Sequence, residues 1–130
     1  MQMQSPTPLN KDAAIRFPRN FHVESLRGGM NRLLLRALPT ADNPTRVEVL
    51  FQYVQYLQLP MQIDGLEICD VTSLEAEEPR FRALLHALPK ARIFRLRSKS
   101  QSVGEVVAAA CSFGEDVALS GSPSMFPMME

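Results

Sequence analysis

The stretch RVEVLFQYVQYLQL, residues 46–59, decides the fold class, because its residues fit either a helix or a strand. A helix would begin well here, with Asn43 as its N-cap and Pro44 in its first turn. It would also place apolar and polar side chains on opposite faces. The apolar residues on that helical face are Val47, Leu50, Val54 and Leu57.

The strand interpretation explains more of the same stretch. Apolar and polar residues alternate over 46–52, interrupted only at Leu50. Near Tyr53 the apolar face changes parity, from odd-numbered to even-numbered residues, as a β-bulge would produce. The stretch is rich in Val, Phe and Tyr and contains no Ala, which favours a strand over a helix. We therefore predict a strand with a bulge at 52–54, ended by Pro60.

Length and composition indicate one globular domain. The chain has 130 residues, of which 45% are hydrophobic and 22% are charged, an ordinary balance for a soluble protein. Its 14 basic and 14 acidic residues cancel. The whole molecule therefore has no net field that would attract nucleic acid or an anionic membrane, although local patches remain candidates.

The cysteines and the N-terminus predict a cytoplasmic protein with no membrane segment. Cys69 and Cys111 lie in apolar, strand-like runs, and we expect two buried free thiols, as in a reducing compartment. The opening sequence MQMQSPTPLNKD is polar and has no secretory pattern. No apolar run approaches the roughly twenty residues that span a bilayer.

Turn residues divide the chain into a tail, a domain and a second tail. Residues 1–14 are predicted to be a flexible tail, 15–119 a single domain and 120–130 a second flexible tail. Short, turn-rich connections between strands predict an antiparallel meander. The expected strands are FHVESL (21–26), MNRLLLRAL (30–38), residues 46–59, LEICDVT (66–72) and ARIFRLRSK (91–99), with a short edge at 117–119.

One helix is expected after the fourth strand. Ser73 is a suitable N-cap, apolar residues recur at helical spacing, and Pro89 ends the segment, while Pro79 leaves open a later start. The fold class is therefore α+β, a mostly antiparallel β meander with one helix, about 75–88, packed on the sheet.

Segment 103–113 fits both kinds of element. Ser102 and Glu105 match a helix capping box, whereas Val106 and Val107, flanked by glycines, suit a buried strand. We favour the strand.

Few residues are candidates for catalysis. His22 and Glu24 stand two apart on a predicted strand, so both side chains face the same side, as an acid–base pair or part of a metal site would require. No third ligand lies nearby, and nucleophile-elbow, phosphate-loop, dinucleotide and CxxC motifs are missing from the sequence. We therefore expect no enzyme, no metal and no cofactor.

Two sets of charged residues are candidate binding surfaces. An acidic set would steer a basic partner toward the protein. A basic set on one strand, with Arg95, Arg97 and Lys99 on the same face, would meet phosphates or carboxylates, unless that face is an ordinary solvated one that pairs across strands with Glu105. The acidic set is Asp64, Glu67, Asp70, Glu75, Glu77 and Glu78, and the basic set is Arg92, Arg95, Arg97 and Lys99.

The order FHVES, a Leu-rich strand, VLFQYVQYLQLP and GLEICD, over about residues 17–71, resembles a pattern in small bacterial immunity proteins of polymorphic toxin systems. Where that pattern prefers Asp after the His, this chain has Val23, with Glu24 one place later. The resemblance implies a compact β-rich protein that binds and blocks a cognate toxin and catalyses nothing.

The sequence thus predicts a non-catalytic cytoplasmic protein-binding protein that contacts a protein partner, in the immunity form a toxin, through the acidic set. One alternative is a nucleic-acid-binding or assembly module that uses the basic set, although the neutral net charge weighs against nucleic acid. The other is a small enzyme or ligand-binding domain that uses His22 and Glu24. The sequence leaves the oligomeric state open.

Overall fold

A computed structural model describes residues 6–28, 31–117 and 124–126. This part of the chain forms a 9-stranded antiparallel sheet, with two short helices between its sixth and seventh strands. The strands are β1 Thr7–Pro8, β2 Ala14–Arg27, β3 Arg32–Ala37, β4 Arg46–Gln52, β5 Tyr56–Gln58, β6 Gln62–Asp70, β7 Arg92–Ser98, β8 Gln101–Ala108 and β9 Ala110–Asp116, and the helices are α1 Thr72–Glu75 and α2 Pro79–Ala87.

The stretch over residues 46–59 forms strands β4 and β5 with a kink between them. Gln52 of β4 lies opposite Ala110, and Tyr56 of β5 lies opposite Val107. Between these two pairs the β4–β5 segment spans four positions, whereas the facing β8–β9 segment spans three. The β4–β5 segment therefore accommodates one extra residue, as in a β-bulge. Tyr53, inside the kink, has a φ of 57°. The predicted strand character and the irregularity at 52–54 are confirmed, but the stretch forms two strands and not the single strand predicted.

The sheet closes around one core because two continuous segments join its ends. The strand order is β1-β9-β4-β3-β2-β6-β7-β8-β5. In this order β9 and β4 lie near one end of the sheet, and β8 and β5 lie at the other end. Because β4 continues along the chain into β5 and β8 continues into β9, these two ends are joined. Phe21, Leu66, Phe51 and Phe94 meet in the enclosed core, where the last two rings are 5.5 Å apart, edge to face.

The predicted meander is right for the first three long strands and wrong for the next one. β2, β3 and β4 pair in sequence order, but β6 pairs with β2 instead of β4. The reason is that β4 already has β3 on one side and β9 on the other. A second antiparallel run, β6 to β8, follows.

Two short helices replace the single helix predicted over about 75–88. Glu78 is extended, with φ −63° and ψ 132°, and Pro79 then opens α2 at a position where its missing N–H is not needed. Phe81 of α2 is buried with Ile93 and Val107 on the outer side of the sheet. Neither described helix has the length and apolarity that crossing a membrane requires.

Segment 103–113 belongs to β8 and β9, so the strand interpretation is confirmed. Of the short edge predicted at 117–119, Val117 lies just beyond β9 and outside any strand. Residues 118 and 119 lie outside the described residues.

Parts of both predicted flexible tails lie against the sheet. Thr7 and Pro8 pair with β9 as β1, and the next residue, Leu9, is buried in the core. At the other end, Met125 and Phe126 are buried on the outer face. These contacts place Thr7, Pro8 and Met125 beside β9. Residues 1–5, 118–123 and 127–130 lie outside the described part.

Candidate functional site

The acidic and basic sets predicted from the sequence meet pairwise. Strands β6 and β7 are neighbours, and their register places Glu67 opposite Arg97. Each of the four basic residues lies next to a carboxylate of the acidic set, so neither set presents its charge alone. The pairs are Asp64–Lys99 at 3.6 Å, Glu67–Arg97 at 3.7 Å, Asp70–Arg92 at 2.7 Å and Glu75–Arg95.

The two remaining acidic residues also have basic partners. Glu77 lies 3.5 Å from Arg82, and Glu78 lies 2.7 Å from Arg80. Such exposed pairs each stabilise a protein by only about 0–1 kcal/mol, because water and salt screen them. We call the acidic and basic sets together the charge mosaic. Its opposed charges largely cancel at a distance.

Asp70 has a structural role within the mosaic. Its carboxylate is buried and accepts hydrogen bonds from Arg92 Nε at 2.7 Å and from the hydroxyl and N–H of Thr72 at 2.6 and 2.9 Å. Burial alone would raise the pKa of Asp70, but the bonds from Thr72 and Arg92 outweigh it and hold that pKa below its ordinary value. Asp70 thereby fixes the start of α1 to β7.

Glu105 joins α2 to the sheet. It lies directly opposite Arg95, as predicted from the sequence, with 3.9 Å between the charged groups. Arg80 of α2 also donates to Glu105, over a distance of 3.0 Å from Nη2 to Oε1. The same guanidinium lies over the Phe81 ring, 4.4 Å from its centroid. This network crosses from the helix to both strands beneath it.

His22 and Glu24 form the predicted pair, with 2.7 Å between Nε2 and Oε1. The hydrogen bond from His22 and the nearby Arg36, at 3.3 Å, outweigh partial burial and lower the pKa of Glu24. In the described part of the chain no hydroxyl or thiol bonds to the His22 ring, and no three metal-ligating side chains cluster. His22, but not Glu24, borders a cavity of about 220 Å³.

Sequence reasoning missed two buried acid–base pairs on β4. Arg46 and Asp116 are both buried, with Nε–Oδ1 and Nη2–Oδ2 distances of 3.0 and 2.7 Å. Glu48 is 0% exposed and accepts from Nε and Nη2 of Arg36 at 2.7 and 2.6 Å. Both charges occupy polar positions in the alternating pattern of β4, which in a strand with one solvated face would point to water.

The cysteines have no disulfide between them. Cys111 is buried and Cys69 is partly buried, and both are free thiols. Burial raises the pKa of both thiols, so neither has the low pKa of a reactive cysteine.

An apolar groove of about 560 Å³ lies where the β4–β5 kink meets the end of α2. Tyr53 stands at its edge with 48% of its surface exposed. Tyr56 follows on β5, 38% exposed, with its ring 6.3 Å from that of Phe81. We call this depression the tyrosine groove. Its lining residues are Tyr53, Gln55, Ala87, Leu88, Pro89, Lys90, Ala91 and Ala109.

A chain of contacts links the charge mosaic to Tyr56, beside the tyrosine groove: Arg80 pairs with Glu78 of the mosaic and lies over the Phe81 ring, which Tyr56 contacts. The parity change at Tyr53 was the only signal in the sequence that pointed to it. The apolar lining contributed by the end of α2 depends on how that helix packs on the sheet, which local pattern does not reveal.

Together these features define a closed antiparallel β protein with a charge-paired face and an exposed aromatic groove. Comparisons of the chain with protein-family models, with curated proteins and with solved structures found no match. The similarity to immunity proteins therefore stays a prediction from the sequence pattern.

Proposed function

We propose that the chain is a non-catalytic protein-binding protein that contacts its partner through the tyrosine groove, with the charge mosaic as the rim. The observation that carries this proposal is the exposure of Tyr53, at 48%, on an apolar groove of about 560 Å³. Tyrosine is enriched at the centres of protein interfaces, because it offers a large contact area for few rotatable bonds. Polar residues typically surround such centres.

The backbone around Tyr53 supports a preformed contact. A positive φ is uncommon for a residue other than glycine and persists only where neighbouring contacts impose it. Here Val54 donates its N–H to the Asn31 carbonyl at 3.0 Å, and Gln55 donates to the Val107 carbonyl at 2.7 Å. The kink is thus held from both sides, which lowers the entropy that binding would otherwise cost.

The charge mosaic suits a rim better than a steering surface. Its carboxylates have nearby cations, so a partner gains specificity by matching an alternating pattern of charge. Glu77 is the most accessible acidic member, with 89% of its side chain exposed.

Neither alternative function gains support from this arrangement. A phosphate approaching Arg95 or Arg97 would have to displace a carboxylate that already lies beside the guanidinium. The His22–Glu24 pair is formed, but Glu24 also faces Arg36, as expected of a structural ion pair.

The test compares two glutamate substitutions on the exposed side of α2. Ala87 lines the tyrosine groove, whereas Ala83, one helical turn earlier, does not. We expect Ala87→Glu to abolish capture of the partner from the native cell, and Ala83→Glu to leave capture unchanged, as measured by quantitative mass spectrometry. If the two variants and the wild-type chain retain the same proteins, the groove is not the contact surface.

A nuclease-treated sample separates this proposal from nucleic-acid binding. A partner that disappears with nuclease treatment supports the basic-set alternative instead. For the immunity form of the proposal, the groove-dependent partner must also be toxic when it is produced without this chain. A partner that is harmless alone argues for another kind of complex.

A further inference from the structure

The C-terminal residues Ser124, Met125 and Phe126 are seated on the outer face of the sheet. Met125 and Phe126 pack against Leu34 and Leu50, which lie opposite each other on β3 and β4. Gly114 of β9 leaves room for this segment, because a Cβ there would lie 2.5 Å from Met125 Sδ. We call this seat the terminal groove, formed by Leu34, Glu48, Leu50 and Gly114.

A buried carboxylate recognises the seated segment. Oε1 of Glu48 accepts the Ser124 hydroxyl at 2.9 Å and the Met125 N–H at 2.8 Å. The Phe126 N–H donates in turn to Ser124 Oγ at 3.0 Å. The other carboxylate oxygen, Oε2, is held by Arg36, so both oxygens of Glu48 are engaged.

The hydrogen bonds to Glu48 make this seat more selective than a site that only covers an apolar patch. Burying a carboxylate is costly unless it is paired and hydrogen-bonded, and an apolar residue would pack under Met125 at lower cost. Glu48 instead demands a hydroxyl and a main-chain N–H at fixed positions, with two large apolar side chains beside them. Because Arg36 also lies 3.3 Å from Glu24, the guanidinium is anchored independently of the segment.

We propose that the terminal groove is a recognition site for a linear peptide of another protein, in which a hydroxyl residue precedes two large apolar residues. Ser124–Phe126 is then a resident competitor that occupies the groove until such a peptide displaces it. The seated segment itself defines the chemistry of the ligand. This site is separate from the tyrosine groove and does not depend on the function proposed for it.

The test opens the groove in the full-length chain and offers the ligand in trans. The probe is a fluorescein-labelled peptide SPSMFPMME, residues 122–130, titrated by fluorescence anisotropy. A tethered segment competes at an effective concentration on the order of millimolar. We therefore expect Phe126→Asp to bind the probe at least tenfold more tightly than the wild-type chain does. Leu74→Asp, at a side chain 83% exposed, is the control and should match the wild type.

Changes in the peptide test the recognition without any risk to folding. Replacing the serine that corresponds to Ser124 by alanine, or methylating the N–H that corresponds to Met125, should each weaken binding to the opened chain at least tenfold. Glu48→Gln combined with Phe126→Asp should do the same. A scrambled peptide should not bind. Ser124→Ala serves as a second opening variant where Phe126→Asp does not fold.

Three outcomes overturn the proposal. The first is an opened, folded chain that binds the probe no more tightly than the wild type. The second is equal binding of the serine and alanine peptides, which would make the groove a non-selective apolar patch. The third is a wild-type dimer in sedimentation that Phe126→Asp dissolves, because the occupant would then be the segment of a second copy.

Discussion

Replacing Gly104 by alanine tests how closely β5 must approach β8. A Cβ at this position would lie 2.4 Å from the Gln58 carbonyl oxygen and 2.9 Å from the Leu59 Cβ. The closest of these atoms belongs to the backbone, so the segment around Gln58 has to move. Its displacement would also shift Tyr56, which stands beside the tyrosine groove.

The expected magnitude follows from two opposing effects. Overpacking of this kind costs about 2–3 kcal/mol, and alanine recovers about 0.5–1 kcal/mol by restricting the unfolded chain. We therefore expect Gly104→Ala to lower the free energy of unfolding by about 2 kcal/mol, or the Tm by about 6–10 °C for a chain of this length. Urea denaturation followed by circular dichroism measures the free energy directly.

Two other glycines provide matched controls. Gly28 has no atom within 4 Å of an added Cβ, so Gly28→Ala should change stability by less than about 0.5 kcal/mol. Gly65 has equally open space but a φ of 74°, so Gly65→Ala should cost about 1–2 kcal/mol through backbone strain alone. A Gly104→Ala variant as stable as Gly28→Ala would refute the close contact between the two strands.

Four further predictions concern the core, two buried ion pairs and the thiols. Phe51→Asp places a charge at a fully buried position and should abolish the cooperative thermal transition; an unchanged transition would contradict the placement of β4 at the centre of the core. Because the pKa of Asp70 is lowered on folding, its stabilising contribution is complete above the ordinary value of 3.8 and is lost as the pH falls through the folded-state value. Asp70→Asn should thus lower the unfolding free energy at pH 7 by about 2–4 kcal/mol and flatten its decline in acid, as urea titrations across pH would measure. Arg46→Met should cost about 3–5 kcal/mol by leaving Asp116 buried without its guanidinium, and adding Asp116→Leu should recover most of that loss; no recovery would mean that the two residues are not coupled. With a thiol reagent at pH 8, Cys69 should react slowly and Cys111 only at the rate of unfolding, so rapid labelling of Cys111 would show that β9 opens in the native state.

Local pattern was sufficient to predict the kinked strand and the strand character of segment 103–113. The parity change at Tyr53 is a property of consecutive residues, and a bulge changes which face consecutive residues occupy. The cross-strand neighbour of Arg95 was also predicted, since Glu105 lies on the next strand of a short hairpin. Each of these features depends on residues close together in the chain.

The features that local pattern did not predict depend on contacts between distant segments. The pairing of β6 with β2 follows from β4 having two neighbours already, which only the closed sheet reveals. The cancellation of the acidic and basic sets depends on the register between β6 and β7, which are separated by both helices. The carboxylate of buried Glu48 accepts hydrogen bonds from Ser124 and Met125, which come from the far end of the chain.

The sheet ends in two very short strands, which limits how molecules of this protein can associate in a concentrated solution. β1 has 2 residues, one of them proline, and β5 has 3. Every other strand in the described ranges has a neighbour on each side. Amyloid growth needs a longer unpaired edge as a template than these two end strands offer, and proline further blocks β1. We therefore expect the folded chain to resist edge-to-edge aggregation through β1 and β5.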